Sequence, residues 1–145
     1  MSPETIFRMC STIAMIGWII LIFVSPFWKN TDQLLIGVVI AFFAIVYTWL
    51  VIFYFQMEDV KRFGSVEGVK ELFQNNAIVT AGWIHYLGFD LMIGCWIKRN
   101  AQKHMIAHWM IVPCLVFAFM FGPMGLLFYL IVRWVKTTKY FSANF

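Results

Sequence analysis

Charge is what this sequence has least of. Only 12% of its 145 residues are Asp, Glu, Lys or Arg, against about 25% in a soluble domain. Hydrophobic residues make up 62% of the chain and aromatic residues 19%. A soluble fold of this length has too little interior to hide that much apolar surface, so the composition points to a polytopic membrane protein. Cysteine is scarce as well. Cys10, Cys95 and Cys114 lie in apolar stretches with no CxxC or other metal spacing, which leaves them as packing thiols. The net charge of +4 is small and its basic residues flank apolar runs, as in membrane anchoring rather than nucleic-acid binding. There is no low-complexity segment, no clear repeat between the halves, and none of the short alternating segments of an outer-membrane barrel. No small-x-small cleavage site follows the first apolar run, which ends in Ser25-Pro26-Phe27-Trp28, so it reads as a retained span and not a signal peptide.

What is present is four apolar runs, expected as spans at about 5–24, 34–55, 77–97 and 106–134. Each reaches the ~20 residues needed to cross about 30 Å of hydrocarbon, and a backbone in lipid must satisfy its own hydrogen bonds. The expected fold is therefore all-α, a polytopic membrane four-helix bundle forming a single integral membrane domain over 1–145. Pro113 and Pro123 each remove an intrahelical hydrogen bond, so the fourth helix is expected to be kinked. Between spans two and three, Ser65 to Phe73 has the pattern of a short amphipathic helix with Val66, Val69, Leu72 and Phe73 on its apolar face. An even number of spans puts both termini on one side, together with Arg8, Lys61, Arg62, Lys70, Arg133, Lys136 and Lys139. Lys29, Lys98, Arg99 and Lys103 face the other side, so the positive-inside rule places both termini in the cytoplasm. A bacterial inner membrane is the expected location.

The third run carries ionisable groups that a simple membrane helix would not need. A charge at mid-membrane costs roughly 2.5–3.5 kcal/mol on insertion scales, so His85 and Asp90 demand compensation inside the fold. On a helix, Tyr86, Asp90, Ile93 and Ile97 share one face, while Ala77, Ala81 and Gly88 form a small-residue face that another helix can approach closely. His85 lies about 140° from Asp90 around the helix and could flank the same cavity from its other edge. His104 and His108 are four residues apart without the glutamate of a zinc motif. A metal on His85, Asp90 and His108 is a weaker reading than a hydrogen-bond network, so no metal and no cofactor is expected. The second span is lined with rings (Phe42, Phe43, Tyr47, Trp49, Phe53, Tyr54 and Phe55), which suits ordinary lipid-facing packing or a long conjugated lipid.

Two motifs together carry a resemblance. Ala81-Gly82-Trp83-Ile84-His85-Tyr86-Leu87-Gly88-Phe89-Asp90-Leu91-Met92-Ile93-Gly94 resembles the signature of the abscisic-acid-deficient-four-like membrane family. His108-Trp109, Val112-Pro113-Cys114, Phe121-Gly122-Pro123-Met124-Gly125-Leu126-Leu127 and Arg133 are similar to its last span. The resemblance is strongest from about Leu72 to Arg133. One departure stands out: Cys95 follows Gly94 where the family pattern has arginine, with Lys98 or Arg99 a turn away. The resemblance implies a small four-helix membrane protein. Plant members are required for neoxanthin formation, in which a carotenoid epoxide rearranges to an allenic alcohol.

That rearrangement needs an acid to open the epoxide and a base to take a ring-adjacent proton. The resemblance makes His85 and Asp90 the candidates for these roles, with Tyr86 as an orienting donor. It makes Trp83, Phe89, His108, Gly122 and Pro123 candidates for substrate contact. The expected function is binding or isomerising a carotenoid-like or other isoprenoid ligand in membrane lipid, as a homodimer or beside a partner membrane enzyme. A non-catalytic scaffold or substrate-delivery subunit is the alternative, and a small proton-coupled transporter the third reading.

Overall fold

The computed structural model describes residues 1–138. Every regular element among them is helical. Three helices are long and apolar enough to cross a membrane: α1 (Pro3–Val24), α2 (Thr31–Tyr54) and α4 (Asn76–Lys103). They cover the first three expected spans with ends shifted by a few residues, as caps dictate. Ser2 Oγ accepts the Thr5 amide ahead of α1, with Pro3 in its first turn, and Asn75 Oδ1 accepts the Ala77 amide ahead of α4 at 2.9 Å. Each satisfies one of the amides that a helix N-terminus leaves open. A 3-10 stretch, Met57–Gly64, leads into the short helix α3 (Val66–Leu72). Ser65 Oγ caps α3 through the Gly68 amide. Of the apolar face expected there, only Leu72 is buried, and Val66 is exposed.

Helix α4 is the central element. Ala77 and Ala81 are buried against Ile6, Cys10 and Ala14 of α1 and Phe43 of α2, so the small-residue face does what its spacing predicts. Contacts at the two ends of α4 fix the order of the bundle. Thr80 Oγ1 donates to the Pro3 carbonyl, which sets the N-terminus beside the start of α4. Lys98 donates to the Lys29 carbonyl and to Asp32, both at 2.9 Å, which sets the α1–α2 turn beside its end.

The fourth expected span is two helices and not one. α5 (His108–Phe121) and α6 (Pro123–Thr137) are separated by Gly122 at φ 39°, ψ −89°. Their 14 and 15 residues give about 21–23 Å each, short of the ~30 Å of hydrocarbon. The two run antiparallel. A Cβ placed on Gly125 would overlap the backbone of Ala118 and the carbonyl of Cys114, and the Phe117 and Phe128 rings meet edge to face with centroids 4.8 Å apart. At its far end Tyr129 donates to Asn100 Oδ1 at 2.6 Å, and Arg133 donates to the same oxygen at 3.3 Å. The pair is thus a helical hairpin. It enters beside the end of α4, turns at the level of Asp90 near the middle of α4, and returns.

This corrects the kinked fourth crossing. Proline alone kinks a helix; Gly122 in a positive-φ conformation, followed by Pro123 as the first residue of a new helix, reverses the chain. It also sets the two ends of the described residues apart. Pro3 lies at the start of α4, whereas Arg133 and the last turn of α6 lie beside Asn100 near the opposite end.

Candidate functional site

The ionisable residues of α4 separate onto different surfaces. Tyr86 and Asp90, one turn apart, both meet the hairpin. The Tyr86 hydroxyl donates to the Met120 carbonyl at 3.1 Å, with the Phe119 carbonyl at 3.5 Å. These carbonyls belong to the last turn of α5, where no intrahelical donor remains. Asp90 is 8% exposed, and its Oδ1 would overlap a Cβ placed on Gly122. Its Oδ2 has no hydrogen-bond partner among the described residues. The face carrying Tyr86, Asp90 and Ile97 is therefore covered by the hairpin.

His85 points the other way, toward α2. Its ring packs on Phe89 at 4.5 Å and on Tyr47 at 5.7 Å between centroids. A cavity of about 140 Å³ lies on one side of this pair, lined by Phe43, Ala44, Thr48, Gly88, Phe89 and Met92 among others. A second, of about 350 Å³, lies on the other side and is lined by Val51, Phe55, Phe63, Phe73, Ile78 and Gly82 among others. Tyr47 and His85 line both. Both are apolar, lie between α2 and α4 and adjoin at Tyr47 and His85; together this groove extends from Ile78 to Met92, about 21 Å along the helix. It is half open to the outside of the bundle. Among the described residues its only ionisable groups are the His85 imidazole and the Tyr47 phenol.

The expected site is thus divided. His85 and Phe89 line the groove; Asp90, Tyr86, Gly122 and Pro123 belong to the hairpin tip. Trp83 lies outside the groove: its indole N–H donates to Ser11 Oγ at 2.9 Å, and its ring stacks on Phe7 and packs on Tyr86, each at 5.3 Å between centroids. His108 bonds through Nε2 to the Ile22 carbonyl at 2.9 Å, tying the hairpin to the end of α1. No three His, Cys, Asp or Glu side chains gather where a metal could sit among the described residues, so His85, Asp90 and His108 do not form the triad considered above. The three cysteines are buried and free.

Two polar clusters escaped the sequence reading. Asp32 sits between Lys98 and Arg99, with Lys98 1% and Arg99 53% exposed at their side chains. Asn100, next to Arg99 in the chain, forms a second buried network with Tyr129 and Arg133.

The sequence profile described as ABA4-like, ABA DEFICIENT 4-like, matches residues 5–129. The chain belongs to the ABA DEFICIENT 4-like family. The match takes in α1 and α2 as well as the stretch from Leu72 onward, and it ends within α6 of the hairpin. No curated protein and no solved structure matches the chain. Within this family member, the Lys98 and Arg99 cations stand about one turn beyond Cys95 and hold Asp32, so basic charge is present near the position of the absent arginine.

Proposed function

We propose that this ABA DEFICIENT 4-like protein is an integral membrane protein that binds a long isoprenoid of carotenoid type in the α2–α4 groove. The observation that carries this reading is that Tyr47 and His85 line both of the adjoining cavities. A groove that is apolar, elongated and open sideways admits a ligand from the bilayer without passage through water. Aromatic walls at Phe43, Tyr47 and Phe89 suit a flat conjugated chain. The one imidazole at mid-groove supplies a polar contact for an oxygen function.

For the rearrangement that the family implies, the paired groups are His85 and Tyr47, in place of His85 and Asp90. Opening an epoxide to an allenic alcohol is an isomerisation. One group delivers a proton to the epoxide oxygen as the ring C–O bond breaks, and another takes the proton from the polyene carbon attached to that ring carbon, whose C–H electrons form the second double bond of the allene, so no oxidant or reductant enters. The His85 ring can do either, and the Tyr47 hydroxyl can donate. Asp90 keeps a different task, holding the hairpin tip. A proton relay through His85 and Asp90 is not favoured, because the two side chains leave opposite sides of α4.

Binding is tested by titrating the purified protein in detergent with a carotenoid epoxide and following quenching of tryptophan and tyrosine fluorescence. Saturable quenching is expected for the wild type. Ala44→Phe, which fills the groove from an exposed position, should abolish it, and His85→Ala should weaken it about tenfold, the worth of one hydrogen bond at ~1.4 kcal/mol. Equal quenching by all three proteins would overturn the proposal.

A further inference from the structure

The helical hairpin changes which charges share a side of the membrane. At the end of the molecule where α1 and α4 begin lie Arg8, Lys61, Arg62 and Lys70, against Glu4, Glu58, Asp59, Glu67 and Glu71. Two of those bases are already paired locally, Arg62 with Asp59 and Lys70 with Glu67. At the opposite end, where α4 finishes and the hairpin enters and leaves, lie Lys29, Lys98, Arg99, Lys103, Arg133 and Lys136. The one acid there among the described residues is Asp32, and Lys98 and Arg99 hold it. A full fourth crossing would have carried Arg133 and Lys136 to the first end and reversed the bias. With the hairpin, one end is nearly neutral and the other strongly basic.

We infer that this basic foot faces the cytoplasm and rests on the anionic phospholipid headgroups of that leaflet, with the N-terminus on the far side of the membrane. An excess of Lys and Arg near span ends orients a chain cytoplasmically, and that leaflet carries the negative surface potential that attracts such clusters. Lipid is the partner, and not a soluble acidic protein, because the bases sit level with the helix ends, where headgroups are. Trp28, Trp109 and Trp134 are exposed at the same level, as aromatic side chains are at a membrane boundary. Lys29, Arg99, Lys103 and Lys136 have exposed side chains there, and so can reach phosphate oxygens.

The orientation is read by labelling single cysteines in intact cells with a membrane-impermeant maleimide. Gly64→Cys, in the exposed stretch before α3, is expected to label from outside, and Gln102→Cys at the foot only after permeabilisation. Wild type, with its three buried cysteines, gives the background. The reverse pattern, or labelling of both from one side, overturns the orientation. The lipid contact is read separately, as the thermal midpoint of the protein in nanodiscs. A higher midpoint in phosphatidylglycerol than in phosphatidylcholine is expected, shrinking with added salt and absent in the K29Q/K103Q/K136Q variant. Equal midpoints in the two lipids at low salt overturn it. Neither readout depends on the groove or its ligand.

Discussion

The Asp90 carboxylate fills the space that a side chain on residue 122 would occupy. A Cβ at Gly122 would lie 3.0 Å from both Cγ and Oδ2 of Asp90, and Gly122 itself sits at φ 39°. Glycine at 122 is thus required twice, by backbone and by space. Gly122→Ala is expected to lower stability by about 1–3 kcal/mol from backbone strain alone, with the displacement of Asp90 adding to it. Thermal unfolding in detergent measures this. An alanine variant as stable as wild type would mean that the tip is not built as described.

The hairpin itself makes a sharp prediction about distance. Phe117 and Phe128 pack at 4.8 Å between ring centroids, whereas eleven residues along one continuous helix span about 16 Å. In a background with the native cysteines replaced by serine, F117C/F128C should lose both thiols to maleimide after mild oxidation, with the mass of an intramolecular disulfide. Two thiols still reactive under the same treatment would favour a single kinked crossing.

The buried ion pair between Asp32 and Lys98 predicts an asymmetry. Lys98 has no other carboxylate beside it among the described residues, and its side chain is 1% exposed. Asp32→Asn should therefore cost about 3–5 kcal/mol, because it leaves a buried ammonium uncompensated. Replacing both partners by apolar residues of similar volume, D32L/K98M, should cost less than Asp32→Asn alone. Midpoints of chemical unfolding for the three proteins decide it, and a double variant worse than the single one would contradict the pairing.

Much of the scaffold was readable from hydropathy, because lipid leaves a chain of this composition few options besides long helices. The three crossings and the small-residue face at Ala77 and Ala81 followed from run length and period. The hairpin did not, although its signs were present. The fourth apolar run, 106–134, is long for one crossing, and Gly122-Pro123 stands near its middle. Periodicity reports a kink and a reversal in the same way; only the sign of φ at Gly122 separates them. The site was half legible. His85 and Asp90 were marked by polarity, yet which neighbour each would face depended on the hairpin. Tyr47 was counted among the rings of the second span, and nothing local distinguished it. Asp32 and Lys98 flank two spans on the same side with opposite charge, a signal that pairing across connections could have used.

The most direct test of the groove is what the protein carries out of a membrane that contains isoprenoids. Wild type, Ala44→Phe and Asp90→Asn would be purified from cells making carotenoids, and the extracted lipids compared by mass spectrometry and absorbance. A specific isoprenoid retained by wild type and Asp90→Asn but lost in Ala44→Phe is the predicted result, since Ala44 lines the groove and Asp90 faces the hairpin tip. Retention in Ala44→Phe with loss in Asp90→Asn would contradict it and move the ligand to the hairpin.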